Sequence, residues 1–398
     1  MNISRLQLIQ NVFDDAVADK QVAGMNCAVF QNGVELGYWQ SGFASIEENR
    51  KFNRDTICRL YSMSKPITAV AAWILIEQGK MELCDEVGRY IPEFWELQIC
   101  TEAGRKGTPK KSGRALLIQD LLNMTSGYTY GAWWEGAPLG EHLTSDLLYE
   151  LNCDILGENK ISTMEFAKRM AKIPVSFEPG TNYCYGLSAD ILGAVIEVVS
   201  GMKFSQFLKK NIFEPLGMID TDFYVPSEKQ NRMAWTYDKK DNELKRFTSP
   251  HLGVQGLMDH APSFESGGAG LCSTLDDYAK FAQMLSNGGE LNGRRILQKK
   301  TVEFFSNARL RNNLQQCFDN SMEHLSGYSY ANLMRVCMDK GKVKMLTENG
   351  EFGWDGWLGP FVSMDIKNNL TIVYMMQLCN TGLTYTSRKM KNIVYSSL

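Results

Sequence analysis

Strand-like segments stand at both ends of this chain and helical ones lie between them, which restricts its fold more than any other feature. Near the start, Met25–Phe30 and Val34–Gln40 are strand-like and flank Asn32-Gly33. Asn-Gly between two such runs is a strong hairpin signal. Ahead of them, Leu6, Ile9, Phe13 and Ala16/Val17 are spaced three and four apart, which predicts an amphipathic helix over Ser4–Val17. At the far end, Tyr330–Met338, Lys342–Thr347, Gly356–Asp365 and Leu370–Leu378 read as strands, with turns at Asp339-Lys340-Gly341 and Lys367-Asn368-Asn369 and a closing helix over Ser387–Leu398. The middle is helical in pattern: Pro66–Gln78, Leu116–Met124, Ser162–Ala171, Leu187–Val199, Ser205–Asn211 and Thr274–Ser286. The expected fold is therefore α+β, with one antiparallel sheet built from the two termini, flanked by helices and carrying an inserted helical lobe. The expected division is an α/β lobe of about 1–80 and 265–398 and a helical lobe of about 81–264, together one domain.

Composition narrows the function. The 398 residues are 44% hydrophobic and 22% charged, ordinary for a globular protein and unlike a disordered or collagen-like one. A net charge of −3 argues against a protein that works by neutralising nucleic-acid phosphates. The densest basic stretch, Arg105–Arg114, contains Gly, Pro and Ser and reads as a solvated loop. The longest apolar runs, Ile67–Ile76 and Ile191–Val199, are about half of what a membrane span requires. The N-terminus has no signal-peptide pattern, so the expected location is the cytoplasm. Ten cysteines form no Cys-x-x-Cys pair and four histidines show no ligand spacing, so no metal or cofactor is expected and the cysteines read as reduced, buried hydrophobes.

Three short motifs carry possible chemistry. In Tyr61-Ser62-Met63-Ser64-Lys65-Pro66, Ser62 and Lys65 stand three residues apart at the start of an apolar helix. At that spacing they share one helix face, and the positive end of the helix dipole favours negative charge developing at the serine. A neutral amine beside a serine can take its proton, and burial lowers a lysine pKa towards the working range. A second Ser-x-x-Lys, Ser200–Lys203, closes an apolar helix with Gly201 at its C-cap and reads as a helix stop. Tyr185 precedes the helix Leu187–Val199; a cation beside it would lower its pKa and make a base of the phenolate. Phe352-Gly353-Trp354-Asp355-Gly356-Trp357 opens a strand, and glycines there mark a close backbone or ligand approach. A capped helix with a surface lysine, a satisfied buried tyrosine and a glycine-rich hairpin with core tryptophans are the structural alternatives at these three places.

In this order the motifs resemble those of the serine β-lactamase-like, penicillin-recognising superfamily, and the chain is most similar to the family VIII carboxylesterases. The resemblance runs from about Val22 to Gln377 and includes Leu121–Gly127, Asn211–Met218 and Gly267–Thr274. It implies a β-lactamase/transpeptidase-like fold. It also implies Ser62 as an acylated nucleophile, Lys65 as the amine sharing its proton, and Tyr185 as general base with the lysine and later proton donor to the leaving group. Trp354 and Gly356 fall in the third motif as substrate-binding residues, and the N–H groups of Ser62 and Trp357 would form the oxyanion hole. Tyr128 and Trp133 fall where relatives border the cleft, and are expected either to line an acyl or alcohol pocket or to pack within the helical lobe.

Departures from the pattern point to the substrate. The second motif reads Tyr185-Gly186-Leu187, without the asparagine of β-lactamases, and the third lacks the lysine that binds a substrate carboxylate. Both losses remove polar groups that would fix an anionic β-lactam, so a neutral ester is the expected substrate and β-lactamase activity is expected to be weak or absent. Met124 replaces the histidine that many relatives carry before Thr-Ser-Gly. No Gly-x-Ser-x-Gly elbow surrounds Ser62, which disfavours an α/β-hydrolase. Acyl transfer from the same acyl-enzyme, D-peptidase or amidase action, β-lactamase action and a non-catalytic binding protein of this fold stay open beside the esterase reading. The expected partner is a small-molecule ester or related acyl compound, no nucleic acid or membrane is expected, and the oligomeric state is open.

Overall fold

Both chain ends enter one eight-stranded sheet in which every neighbouring pair is antiparallel. In the computed structural model, which describes residues 2–398, the strands are β1 (Gly24–Gln31), β2 (Val34–Ser45), β3 (Arg50–Lys51), β4 (Tyr328–Ala331), β5 (Met334–Cys337), β6 (Phe352–Gly353), β7 (Phe361–Asp365) and β8 (Leu370–Met376). Their order across the sheet is β4-β5-β6-β7-β8-β1-β2-β3. The first and last parts of the chain thus meet where β1 pairs with β8, from Met25 opposite Met376 to Gln31 opposite Leu370. At the β1–β2 turn, Asn32 and Gly33 have φ of +52° and +77°, the left-handed pair that a type I′ hairpin requires.

Helices cover both faces of the sheet. Successive residues of a strand point to opposite sides, and β8 is buried throughout. On one side Tyr374 meets Phe13 of α1 (Leu8–Ala18), and Cys27 meets Met390 of the C-terminal helix Tyr385–Tyr395. On the other side the Thr371 hydroxyl donates to Ser286 at the end of the helix Leu275–Ser286. The inserted part packs around α2 (Ser64–Glu77), whose residues Ser64 to Leu75 are all buried. Such all-round burial marks a central core helix. Pro66 sits in its first turn, where no intrahelical N–H bond is lost. The helix Ser188–Ser200 packs against α2 and ends at Gly201, φ +68°, as a left-handed C-cap.

The structure corrects several element boundaries. Tyr330–Met338 is a hairpin, turning at Asn332 and Leu333 with φ of +52° and +59°. The turn is held by the core: Leu333 is buried, its N–H donates to Leu122 O (2.7 Å), and Trp73 Nε1 donates to Asn332 Oδ1 (2.8 Å). Lys342–Thr347 is irregular, and Leu346 N–H donates to Asn392 on the C-terminal helix rather than to a strand. Gly356–Pro360 is a turn closed by Gly356 N–H to Pro360 O (2.8 Å), so the strand starts only at Phe361. The helix Leu139–Asp154 and the hairpin Thr236–Lys240/Glu243–Phe247 were not expected from sequence. No single described helix is long and apolar enough to cross a membrane. Ser188–Ser200 and Phe204–Leu216 pass jointly on length and composition but meet at 73°.

Candidate active site

Ser62 lies in a 3-10 turn, Tyr61–Met63, directly before α2. Tyr61 has φ +44°, a left-handed conformation that costs about 1–3 kcal/mol for a residue with a side chain. Packing holds it there: its buried ring lies 4.9 Å from Trp357 and 5.9 Å from His251. One helical turn on, fully buried Lys65 points its Nζ back at the serine. Nζ donates to Ser62 Oγ (3.1 Å), Tyr130 OH (3.0 Å) and Gly268 O (2.8 Å). Burial lowers the Lys65 pKa to about 8, against the opposing charges of Asp190 and Asp355. With that value the amine is neutral in about a tenth of molecules at pH 7, in about half near pH 8 and in most above about pH 9.

Tyr185 reaches the same place from the segment before Ser188–Ser200. Its hydroxyl accepts a hydrogen bond from Trp354 Nε1 (2.8 Å), and its ring packs against Tyr130 (5.7 Å) and Trp354 (5.4 Å). The phenolate expectation is corrected here. Burial pushes the Tyr185 hydroxyl well above its ordinary value, outweighing the hydrogen bonds from Ser62 and Trp354. The lysine ammonium faces the tyrosine ring at 4.8 Å and directs its hydrogen bonds elsewhere. Lys65 is the residue whose proton is easily exchanged, and Tyr185 is a neutral hydroxyl.

Two buried loops hold the pair. Asp190 accepts from Gly268 N–H (3.1 Å) and from Ser266 Oγ, which fixes the Gly268 carbonyl that Lys65 contacts. Met124, φ +55° and buried, offers its carbonyl to Cys184 N–H (2.9 Å), tying the Thr-Ser-Gly segment to the residue before Tyr185.

The third motif closes the opposite wall. Gly356 approaches so closely that a Cβ there would lie 2.3 Å from Leu60 O and 2.8 Å from Pro360 Cγ. Local backbone bonds use Gly356 N–H, Gly359 N–H and Thr381 N–H, leaving Trp357 N–H beside the Ser62 turn outside this set. Gly356→Ala is expected to push the Trp357 segment away from Ser62. An ångström of misplacement costs about 10²-fold, so kcat/KM should fall by that order while urea unfolding shows a loss of about 1–3 kcal/mol.

A cavity of about 480 Å³ opens over Ser62, lined among others by Tyr130, Tyr185, Trp354, Gly356 and Trp357. Tyr128 is not among its lining residues, which corrects the expectation for that position. It is buried edge-on against Phe94 (6.2 Å, 89°), and Tyr130, two residues on, reaches the cavity instead. Trp133 does line it, at 66% exposure. Sequence reasoning also missed His251, stacked on Trp357 at 4.2 Å, and Leu148, Tyr149 and Asn152 of the helix Leu139–Asp154. Burial lowers the His251 pKa to about 4, so its imidazole is neutral at neutral pH. No group of three or more His, Cys, Asp or Glu among the described residues could hold a metal ion.

This arrangement pairs a serine hydroxyl with a buried amine of lowered pKa under an aromatic cavity, which suits nucleophilic acyl chemistry. The β-lactamase family profile matches residues 9–389, and the chain belongs to that family. Esterase EstB of Burkholderia gladioli is 30% identical over 279 residues, covering 67% of this chain and 66% of its own length. Monacolin J acid methylbutanoyltransferase of Aspergillus terreus is 24% identical over 347 residues, covering 83% of this chain and 78% of its own. The solved structure of EstCE1, a hydrolase with promiscuous acyltransferase activity, matches with a TM-score of 0.80 at 23% identity over 99% of both chains. The expected β-lactamase/transpeptidase-like fold is the observed one.

Proposed function

We propose that this protein is a serine hydrolase that forms an acyl-enzyme on Ser62 and hydrolyses carboxylic esters. The observation that carries the reading is the 3.1 Å contact between Ser62 Oγ and the buried Lys65 amine, opening onto the cavity. Neutral Lys65 takes the Ser62 proton as Oγ bonds to the ester carbonyl carbon. The carbonyl oxygen becomes an oxyanion held by the N–H groups of Ser62 and Trp357. As the C–O bond to the alcohol breaks, Tyr185 protonates the leaving oxygen and is reprotonated from Lys65 through the Tyr130 hydroxyl, which accepts from Lys65 Nζ and hydrogen-bonds to Tyr185. Water then attacks the acyl-enzyme by the same proton route, releasing the acid and restoring Ser62.

The missing third-motif lysine and second-motif asparagine favour an ester over an anionic β-lactam. Turnover of p-nitrophenyl butyrate beside a chromogenic cephalosporin tests this: the ester should turn over and the cephalosporin hardly at all, and faster cephalosporin turnover would overturn the substrate reading. Because the neutral amine is the active form, kcat/KM for the ester should rise about tenfold per pH unit and level off above about 8, the Lys65 value. A profile flat from pH 6 to 9 would remove Lys65 as the base.

A second reading is supported by the similarity to the Aspergillus transferase. In it an acceptor alcohol replaces water in the second step. Product analysis with added alcohol separates the two readings, since a transferase yields the new ester in excess over free acid.

A further inference from the structure

The cavity wall is aromatic and apolar with one exception in charge. Asp355 is the one carboxylate among its lining residues, and no lysine or arginine lines it. Asp355 lies between Trp354 and Gly356, beside the tyrosine that protonates the leaving alcohol in the reading above. Among the described residues its one ion-pair neighbour is Arg335, with Nη1 3.9 Å from Oδ1, and the more distant Lys65 charge also acts on it. The Arg335 contact is beyond hydrogen-bond range, and Nη1 is a buried nitrogen without a hydrogen-bond partner. Arg335 is fully buried behind the wall, whereas the Asp355 side chain keeps 16% of its surface exposed. The carboxylate is therefore only partly compensated from behind and reaches the cavity in front. The same cavity is lined by Tyr185, Trp354, Trp357 and Tyr149, aromatic side chains whose π electrons attract a cation.

We infer that Asp355 makes the cleft selective for esters whose alcohol portion carries a positive charge, an ammonium or quaternary ammonium, over neutral and anionic ones. The inference rests on the ester-hydrolase reading and deepens it. An ammonium in the alcohol portion sits between the carboxylate and the aromatic faces while the carbonyl carbon lies at Ser62. An anionic alcohol portion meets the carboxylate instead and is repelled. The cation adds no step to the reaction: the same bonds form and break, and only the binding of the alcohol portion differs.

The test compares butyrylcholine with its neutral carbon isostere 3,3-dimethylbutyl butyrate and with anionic 3-butyryloxypropanoate, titrating released acid at pH 8. The wild-type protein should show kcat/KM about tenfold or more higher for the choline ester than for the neutral one, with the anionic ester lowest. In Asp355→Asn the ratio of cationic to neutral should fall to near one. A ratio near one in the wild type, or a tenfold preference that survives in Asp355→Asn, overturns the inference. Choline against 3,3-dimethylbutanol as inhibitors of p-nitrophenyl butyrate turnover gives a second measurement on the wild type alone. Choline should inhibit about tenfold more strongly, and equal inhibition counts against the inference. Failure of the parent reading looks different: p-nitrophenyl butyrate itself is then not turned over, and the inference falls with it. With that ester turned over and no charge preference, only the role of Asp355 is lost.

Discussion

Ser62→Ala should reduce p-nitrophenyl butyrate turnover by on the order of 10⁴-fold or more, the loss expected when a nucleophile working as one unit with its base is removed. The substitution deletes the one oxygen that Lys65 contacts on the nucleophile side, at 3.1 Å. Lys65 keeps its bonds to Tyr130 and Gly268, so the fold has little reason to change. A net stability change of no more than about 1 kcal/mol is expected from one lost hydrogen bond. Intact-mass measurement during turnover of a slowly deacylated ester should show one acyl adduct on the wild type and none on the variant. Ester turnover retained by Ser62→Ala, or an adduct on another residue, would end the Ser62 assignment. The pair of outcomes also separates catalysis from binding: a non-catalytic protein of this fold would show the same low rate before and after the substitution.

Much of this site was legible because its parts are local. Ser62, Lys65 and Pro66 sit within one helical turn, so the spacing alone places serine and amine on one face. The Asn32-Gly33 turn announces itself because only particular residues tolerate its φ values. What was not legible depends on long-range packing. Nothing local predicts that Leu333, a bulky apolar residue, turns a hairpin at φ +59°; its burial against the inserted helices overrides its preference. The expectation fell on Tyr128 rather than Tyr130 for the same reason, since both lie in one aromatic cluster on an irregular segment with no fixed side-chain period. The helix Leu139–Asp154 is broken in pattern by Gly140, Thr144 and Asn152, so its contribution of Leu148 and Tyr149 to the cavity appears only in three dimensions. The tyrosine phenolate expectation failed because it weighed the nearby cation and left out burial, which acts in the opposite direction.

Behind the third motif, the sheet carries a buried ionic cluster whose disruption should have the largest effect on stability. Glu351, Arg335 and Lys391 have fully buried side chains; Glu351 lies 2.9 Å from Lys391 Nζ and 3.3 Å from Arg335 Nη2. Its carboxylate also accepts from Ser363 Oγ (2.6 Å), Thr347 Oγ1 (3.1 Å) and Tyr328 OH (3.2 Å). Five donors on one carboxylate explain how it stays ionised in the interior: the Lys391 and Arg335 charges overcome desolvation and hold its pKa down at about 2. Glu351→Gln keeps the shape but leaves two buried cations without their anion. Breaking a buried pair in this way costs about 3–5 kcal/mol, to be read as a lowered urea midpoint at pH 7. Because the folded-state pKa is depressed, the contribution of Glu351 is fully present above its ordinary value and is lost as pH falls from about 4.5 towards 2. The stability gap between wild type and Glu351→Gln should therefore narrow with acidification across that window, and a gap independent of pH would exclude the charge as its cause. The cluster also reaches the cavity, since Arg335 stands between Glu351 and Asp355. Without the Glu351 charge, Asp355 is the remaining carboxylate beside the guanidinium, whose Nη2 also donates to Val362 O (2.9 Å), so the preference for a cationic alcohol should weaken in the same variant, linking a change in the core to specificity at the wall.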